Sequence, residues 1–197
     1  PPAVVVQRWP GTRHRRVQCQ HFRRPPPVQL QAKGSLNSPI HPRRMQPARD
    51  ISLATARNPK IRRVHDYWLL KCAGRAMPGR ADIDPLELGD LLGHLCLIDV
   101  TADDPPRFRY RVDGSRLAAL TGFDLTGKYA DQLPDLGYRA YVLELYGFVR
   151  AGRAPVFRAN HEEWDGRALA VESVTLPLSS DGAAVDAILD AVFPTEL

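Results

Sequence analysis

The chain has almost no acidic residues in its first part, few cysteines and no long apolar run. Residues 1–60 hold one acid, Asp50, against 12 of the 27 Lys and Arg, a net charge of +11; the remainder has 15 basic and 21 acidic residues, a net −6. No apolar stretch approaches the roughly 20 residues of a membrane-spanning helix. The three cysteines form no CxxC pair, and a reducing, cytoplasmic setting is the simplest interpretation.

The composition divides the chain near residue 58. Residues 1–60 also contain ten of the eighteen prolines, and a segment with one-signed charge and few periodic apolar positions cannot offset its ordering entropy. We therefore expect residues 1–58 to be a disordered Pro/Arg-rich segment and residues 59–197 to form one globular domain. The first methionine is Met45, so natural translation from Met45 and a translated basic arm are both open.

A basic arm of this kind makes nucleic-acid binding one alternative function. The clusters "RHRR", "FRRPPP" and "HPRR" would attract phosphates electrostatically. A stacking surface for bases needs interleaved aromatic residues, however, and the arm has only Trp9 and Phe22. The sequence therefore disfavours a nucleic-acid partner.

From Ile61 onward, hydrophobic periodicity predicts regular elements. They are a helix at 61–76, strands at 94–101 and 107–112, a short helix capped by Ser115 and closed by Gly122, a long helix at 138–150, and strands in "APVFRAN", "ALAVESVTLPLS" and "VDAILDAVF". This order predicts an α+β domain in which five antiparallel strands carry the helices on one face.

The stretch "RFRYRVDGSRLAALTGFDLTG" (107–127) is the most patterned part of the chain. Phe108, Tyr110 and Val112 alternate with arginines, so one face of the strand is expected in the core and Arg109 and Arg111 in water. Glycine-flanked turns after a strand with one buried and one solvent-exposed face are consistent with the wall of a cavity.

Four segments, in this order, resemble the PAS domain, and in particular the small bacterial PAS-type family in which the domain is most of the protein. They are "YW" (67–68), "PGRADIDPLELGDLLGHL" (78–95), "RFRYRVDGSRLAALTGFDLTGK" (107–128) and "VTLPLSSDGAAVDAIL" (174–189), and the resemblance covers about residues 62–194. It implies a five-stranded antiparallel sheet that cups a cluster of short helices, and a non-catalytic role in sensing or protein interaction.

The resemblance also implies a ligand cavity. Its expected lining is Phe108, Tyr110, Val112, Leu117, Leu120, Tyr141 and Leu145. Flavin-binding PAS domains with a covalent cysteine use an "NCRF"-like helix, which is missing here, and haem-binding relatives need a histidine on the long helix, where 138–150 has none. The cofactor, if any, stays unknown.

An enzyme built on a cupped α+β sheet is the alternative from another class. It would need His94 or His161 to point inward beside a carboxylate. His94 precedes an apolar strand and is interpreted as structural, and His161-Glu162-Glu163 cannot converge on one ion because consecutive strand residues point to opposite sides.

The first helix is apolar over more than one stripe. Trp68 shares its stripe with Ile61, Val64 and Cys72, while Leu70 helps to widen the apolar side. Such a helix usually has two surfaces to cover. We therefore expect a homodimer whose interface includes this helix, as in many PAS domains; the alternative is that the helix folds wholly across its own sheet.

Overall fold

The computed structural model describes residues 44–45, 48–164 and 167–195. Most of the segment predicted to be disordered, residues 1–58, lies outside the described residues. Five strands form one antiparallel sheet, as predicted: β3 (Leu95–Val100), β4 (Phe108–Val112), β5 (Val156–Trp164), β6 (Arg167–Leu178) and β7 (Ala187–Thr195). Their spatial order in the sheet is β5-β6-β7-β3-β4. Two short strands, β1 (Arg44–Met45) and β2 (Arg49–Asp50), pair with the free edge of β5.

Helices lie on both faces of this sheet. The α-helices are α1 (Pro59–Cys72), α2 (Pro85–Leu88), α3 (Ser115–Thr121) and α4 (Leu136–Gly152). Lys60 of α1 lies over the Phe193 ring, whereas Tyr146 of α4 donates a hydrogen bond to Asp190. Phe193 and Asp190 are three positions apart on β7 and so face opposite ways. We call the side with Asp190 the inner face and the side with Phe193 the outer face.

Helix α1 covers the outer face of its own sheet. Its stripe of Ile61, Val64, Trp68 and Cys72 is buried, as predicted. The Trp68 indole N–H donates to the carbonyl of Pro177 at 2.9 Å, so the one polar group of that ring is satisfied inside the core. The apolar stripe of α1 is thus buried by packing within one chain and needs no second subunit to cover it.

The two residues just before the predicted boundary at residue 59 are hydrogen-bonded to the packed sheet. The buried Glu172 carboxylate of β6 accepts the backbone N–H of Arg57 at 2.9 Å and that of Asn58 at 2.8 Å, and Asn58 in turn caps α1 through the N–H of Lys60. A carboxylate at this position also meets the positive end of the helix dipole. Composition could not show this, because the partner lies 115 residues away.

A β-bulge corrects the predicted position of Val112. Ile98 pairs with Tyr110 and Leu97 pairs with Val112, so Arg111 is an extra residue without an opposite partner. Because directly paired residues share a face, Val112 turns to the outer face with Leu97. Its side chain is 47% exposed there.

The short helix α3 starts with a glycine at its cap, not with Ser115. Gly114 occupies the N-cap, and a Cβ on it would lie 2.4 Å from the carbonyl oxygen of Gly93. The close approach of these two backbones seats α3 against the end of the 3-10 helix Gly89–His94. Gly122 closes α3 at a φ of 82°, as its predicted left-handed role requires.

Candidate functional site

A small cavity lies on the inner face, between the sheet and helices α3 and α4. Its volume is about 40 Å³, which is room for about three water molecules. Its lining is Cys96, Tyr110, Asp113, Leu117, Leu120, Thr121, Leu125, Tyr138, Tyr146, Val171, Asp190 and Val192. Among these described residues, two are acids and none is Lys, Arg or His, so the formal charges that the lining can carry are all negative.

Asp190 is the polar centre of this cavity. It lies in the middle of β7, and its carboxylate accepts the Thr175 hydroxyl at 2.8 Å and the Tyr146 hydroxyl at 3.3 Å. Complete burial raises the pKa of Asp190 to about 6, and the two hydroxyl donors oppose that rise. A carboxyl group in this position can change its charge near neutral pH.

Two tyrosines extend the network from Asp190 across the cavity. The hydroxyls of Tyr110 and Tyr146 are 3.1 Å apart, and their rings meet edge to face at 6.2 Å. Burial raises the pKa of both phenols well above the ordinary value. Both therefore stay protonated and serve as neutral hydrogen-bonding groups that join β4, α4 and β7.

A thiol and a second carboxylate form the other polar wall. The Cys96 thiol donates to Asp113 at 3.2 Å, and the same carboxyl group accepts the backbone N–H of Leu125 at 2.9 Å. Burial, reinforced by the charges of Asp113 and Asp190, raises the pKa of Cys96 well above its usual value. The thiol is thus an unreactive hydrogen-bond donor rather than a nucleophile.

The structure brings only three of the seven predicted lining residues to the cavity. Tyr110, Leu117 and Leu120 line it, although Leu120 is also 38% exposed. The other four lie elsewhere: Phe108 and Leu145 are buried in the core beside it, the Tyr141 hydroxyl accepts from Asn160 at 2.9 Å, and Val112 is on the outer face. The predicted set thus contains one polar residue of the cavity, Tyr110, and omits Cys96, Asp113, Tyr146 and Asp190.

The outer face carries a second, open concavity, which we call the outer groove. Its volume is about 1060 Å³. The apolar floor comes from Leu88, Leu95, Leu97, Val112 and Leu189, and charged side chains including the Arg75–Asp82 ion pair (2.6 Å) stand on its rim.

The histidines do not meet the requirement of the enzyme alternative. His94 is buried with its ring 5.1 Å from that of Phe193, and its Nδ1 has no hydrogen-bond partner among the described residues. Burial first, and then the nearby Lys60 and Arg116, lower the pKa of His94, so its ring is neutral at pH 7. His161 is exposed and pairs with Ala170, away from the cavity.

The described residues offer neither a metal site nor a membrane-spanning helix. They contain no group of three His, Cys, Asp or Glu side chains arranged to hold a metal ion. None of the helices in this part of the chain combines the length and the apolar content that crossing a bilayer requires.

Comparison with known proteins agrees with this architecture. The family model of the PAS domain matches residues 56–192, from the start of α1 through most of β7. None of the curated proteins compared with the chain gives a significant match. PAS domains are sensory or interaction modules, and the match spans most of the sequence. This chain belongs to the PAS domain family.

Proposed function

We propose that this domain is a sensory module of signal transduction without catalysis of its own, and that a small molecule held in the inner cavity is its input. The observation that carries the proposal is the concentration of buried polar groups on one small cavity: a carboxyl, phenols and a thiol. Buried polar groups are costly unless they are hydrogen-bonded, and these groups would offer a small molecule donors and acceptors in an otherwise apolar pocket. Tyr110, Leu117 and Leu120 are the predicted residues that would contact the ligand.

A ligand larger than a few atoms requires the cavity to widen. The wall most able to move is α3 with the loop behind it, because Leu120 and Phe123 there are already partly exposed. Movement of α3 would displace few buried side chains, since Leu117 is its only buried residue in the core. Entry of a ligand beneath α3 would thus change the surface of the domain, which is what a sensory module needs.

Native mass spectrometry of the protein purified from its own host tests the small-molecule proposal. We expect an adduct of constant mass in the unaltered chain and its loss in Leu117→Trp, which fills the cavity. Leu136→Trp, at a position that is 68% exposed on α4, is the matched control and should keep the adduct. An unaltered chain without any adduct, or an adduct unchanged by Leu117→Trp, would contradict this function.

A protein partner is the second candidate, and the outer groove is the observation that favours it. Leu97 and Val112 form part of its apolar floor, and Leu70 on the neighbouring α1 is 75% exposed. The buried stripe of α1 does not include Leu69 and Leu70, which remain exposed on the surface. We propose a homodimer that covers this side of α1.

Sedimentation velocity of the full chain at micromolar concentration checks the dimer. The unaltered chain is expected to sediment as a dimer and Leu70→Glu as a monomer, because a buried carboxylate without a partner opposes association. Leu136→Glu, at a similarly exposed leucine on α4, should leave the dimer intact. A monomeric unaltered chain ends the dimer proposal, and a dimer that survives Leu70→Glu moves its interface away from this residue.

We also propose a cytoplasmic location. Cys72 and Cys96 are both free and buried, as expected of a chain that folds in a reducing compartment.

A further inference from the structure

Among the residues that the structure describes, no cationic side chain contacts Asp190. The groups that face it are Cys96 from β3, Tyr110 from β4, Thr175 from β6, the tyrosines 138, 141 and 146 from α4, and Asp113 after β4. Helix α3 adds only Leu117, Leu120 and Thr121. Arg158 of β5 also lies on the inner face, but its guanidinium stacks over the Tyr141 ring and pairs with Asp50 at 3.2 Å. In the described part of the chain, a negative charge on Asp190 is therefore stabilised by the hydroxyl groups of Thr175 and Tyr146.

This arrangement makes the direction of the hydrogen bonds depend on one proton. An ionised Asp190 can only accept, so Tyr146 must donate its single proton to it, and Tyr110 must then donate to the oxygen of Tyr146. A protonated Asp190 can instead donate to Tyr146, which frees the Tyr146 proton for the oxygen of Tyr110. One proton thus reverses a chain of two hydrogen bonds that crosses the cavity.

We propose that Asp190 is a proton-sensing switch whose charge sets how tightly helix α4 is held against strand β7. Tyr146 lies in α4 between the buried Leu145 and Val149, so a change in its bond to Asp190 acts on the helix itself. The present distance of 3.3 Å is long for a hydrogen bond between a hydroxyl and a carboxylate. A hydroxyl that donates to an ionised carboxylate approaches to about 2.5–2.7 Å. Ionisation therefore draws α4 toward the sheet, and protonation relaxes it.

The switch is linked to the cavity because the same helix walls it. Tyr138 and Tyr146 of α4 both line the cavity, so the position of α4 sets its width. This regulation would act on the domain whether or not a small molecule is its input, and a failure of one proposal leaves the other standing.

Nuclear magnetic resonance of the full chain, with ¹³C-labelled aspartate carboxyls and tyrosine rings, tests the switch between pH 4.5 and 8. One aspartate carboxyl should titrate near pH 6, and the ring signals of Tyr146 and Tyr110 should shift with the same midpoint. Asp190→Asn should remove the titration and both tyrosine shifts. Asp103→Asn, at an exposed loop position, should leave all of them unchanged.

Two further variants keep the test decisive if Asp190→Asn folds poorly. Thr175→Val removes a donor that favours the ionised carboxylate and should move the midpoint to higher pH while the tyrosines still follow it. Asp113→Asn removes the neighbouring buried acid and should leave the coupled tyrosine shifts in place. Tyrosine shifts that persist without Asp190, that vanish with Asp113, or that do not follow the Asp190 midpoint would overturn the proposal.

Discussion

Replacing Tyr110 by alanine should lower the free energy of unfolding by about 3–5 kcal/mol, the usual cost of removing a large aromatic side chain from a core. The Tyr110 side chain is 1% exposed and fills the space between the sheet and α4. Its removal also leaves the buried Tyr146 hydroxyl with one partner fewer, and an unsatisfied buried group adds to the loss. The expected effect is therefore at the upper end for a single substitution.

Chemical denaturation of three variants separates the two contributions. Tyr110→Phe keeps the ring and loses only the hydroxyl, so it should cost about 1 kcal/mol. Arg109→Ala, one position earlier on the same strand, is the matched control and should change stability by less than about 0.5 kcal/mol, because its side chain is exposed. Equal losses at positions 109 and 110 would mean that the strand faces the core differently.

The faces of β4 were predictable for most of its length. Strict alternation placed Phe108 and Tyr110 in the core and Arg109 and Arg111 in water, and the structure confirms these four positions. Alternation failed at Val112 because the bulge inserts Arg111 without an opposite residue. A bulge depends on how the partner strand pairs, and a single strand's sequence carries no clear signal of that register.

Sequence reasoning named Tyr110 and missed the other polar groups of the cavity. Asp190 lies in "AILDAVF", where apolar residues occupy both faces, and one acid in a strand buried on both sides was a usable signal. Its partners were not predictable, because Thr175 and Tyr146 reach it only through the pairing of β6 with β7 and the packing of α4. Glu172 was missed for the same reason, since its role depends on a chain segment far away in sequence.

Replacing Asp190 by asparagine should remove a penalty that the folded protein carries at neutral pH. Below about pH 3.8 the carboxyl group is protonated in both the folded and the unfolded chain, so it has no effect on stability. Between pH 3.8 and about 6 the unfolded chain releases this proton while the folded chain keeps it. The folded state then binds more protons than the unfolded state, and stability falls as the pH rises. Above pH 6 the penalty is constant, and a pKa raised to about 6 corresponds to about 3 kcal/mol.

The free energies of unfolding of the unaltered chain and of Asp190→Asn, measured by denaturant titration from pH 3.5 to 8, check this expectation. The free energy of unfolding of the variant minus that of the unaltered chain should rise by about 3 kcal/mol between pH 4 and 6 and stay constant at higher pH. Acids with a lowered pKa, such as Asp82 and Asp131, make stability rise with pH instead. Their contribution is the same in both proteins and cancels in the difference. Any constant cost of fitting the amide beside Thr175 and Tyr146 moves the whole difference curve without altering its slope. Asp103→Asn should give a flat difference over the same range, and an equally flat curve for Asp190→Asn would mean that Asp190 is ionised in the folded protein from low pH onward.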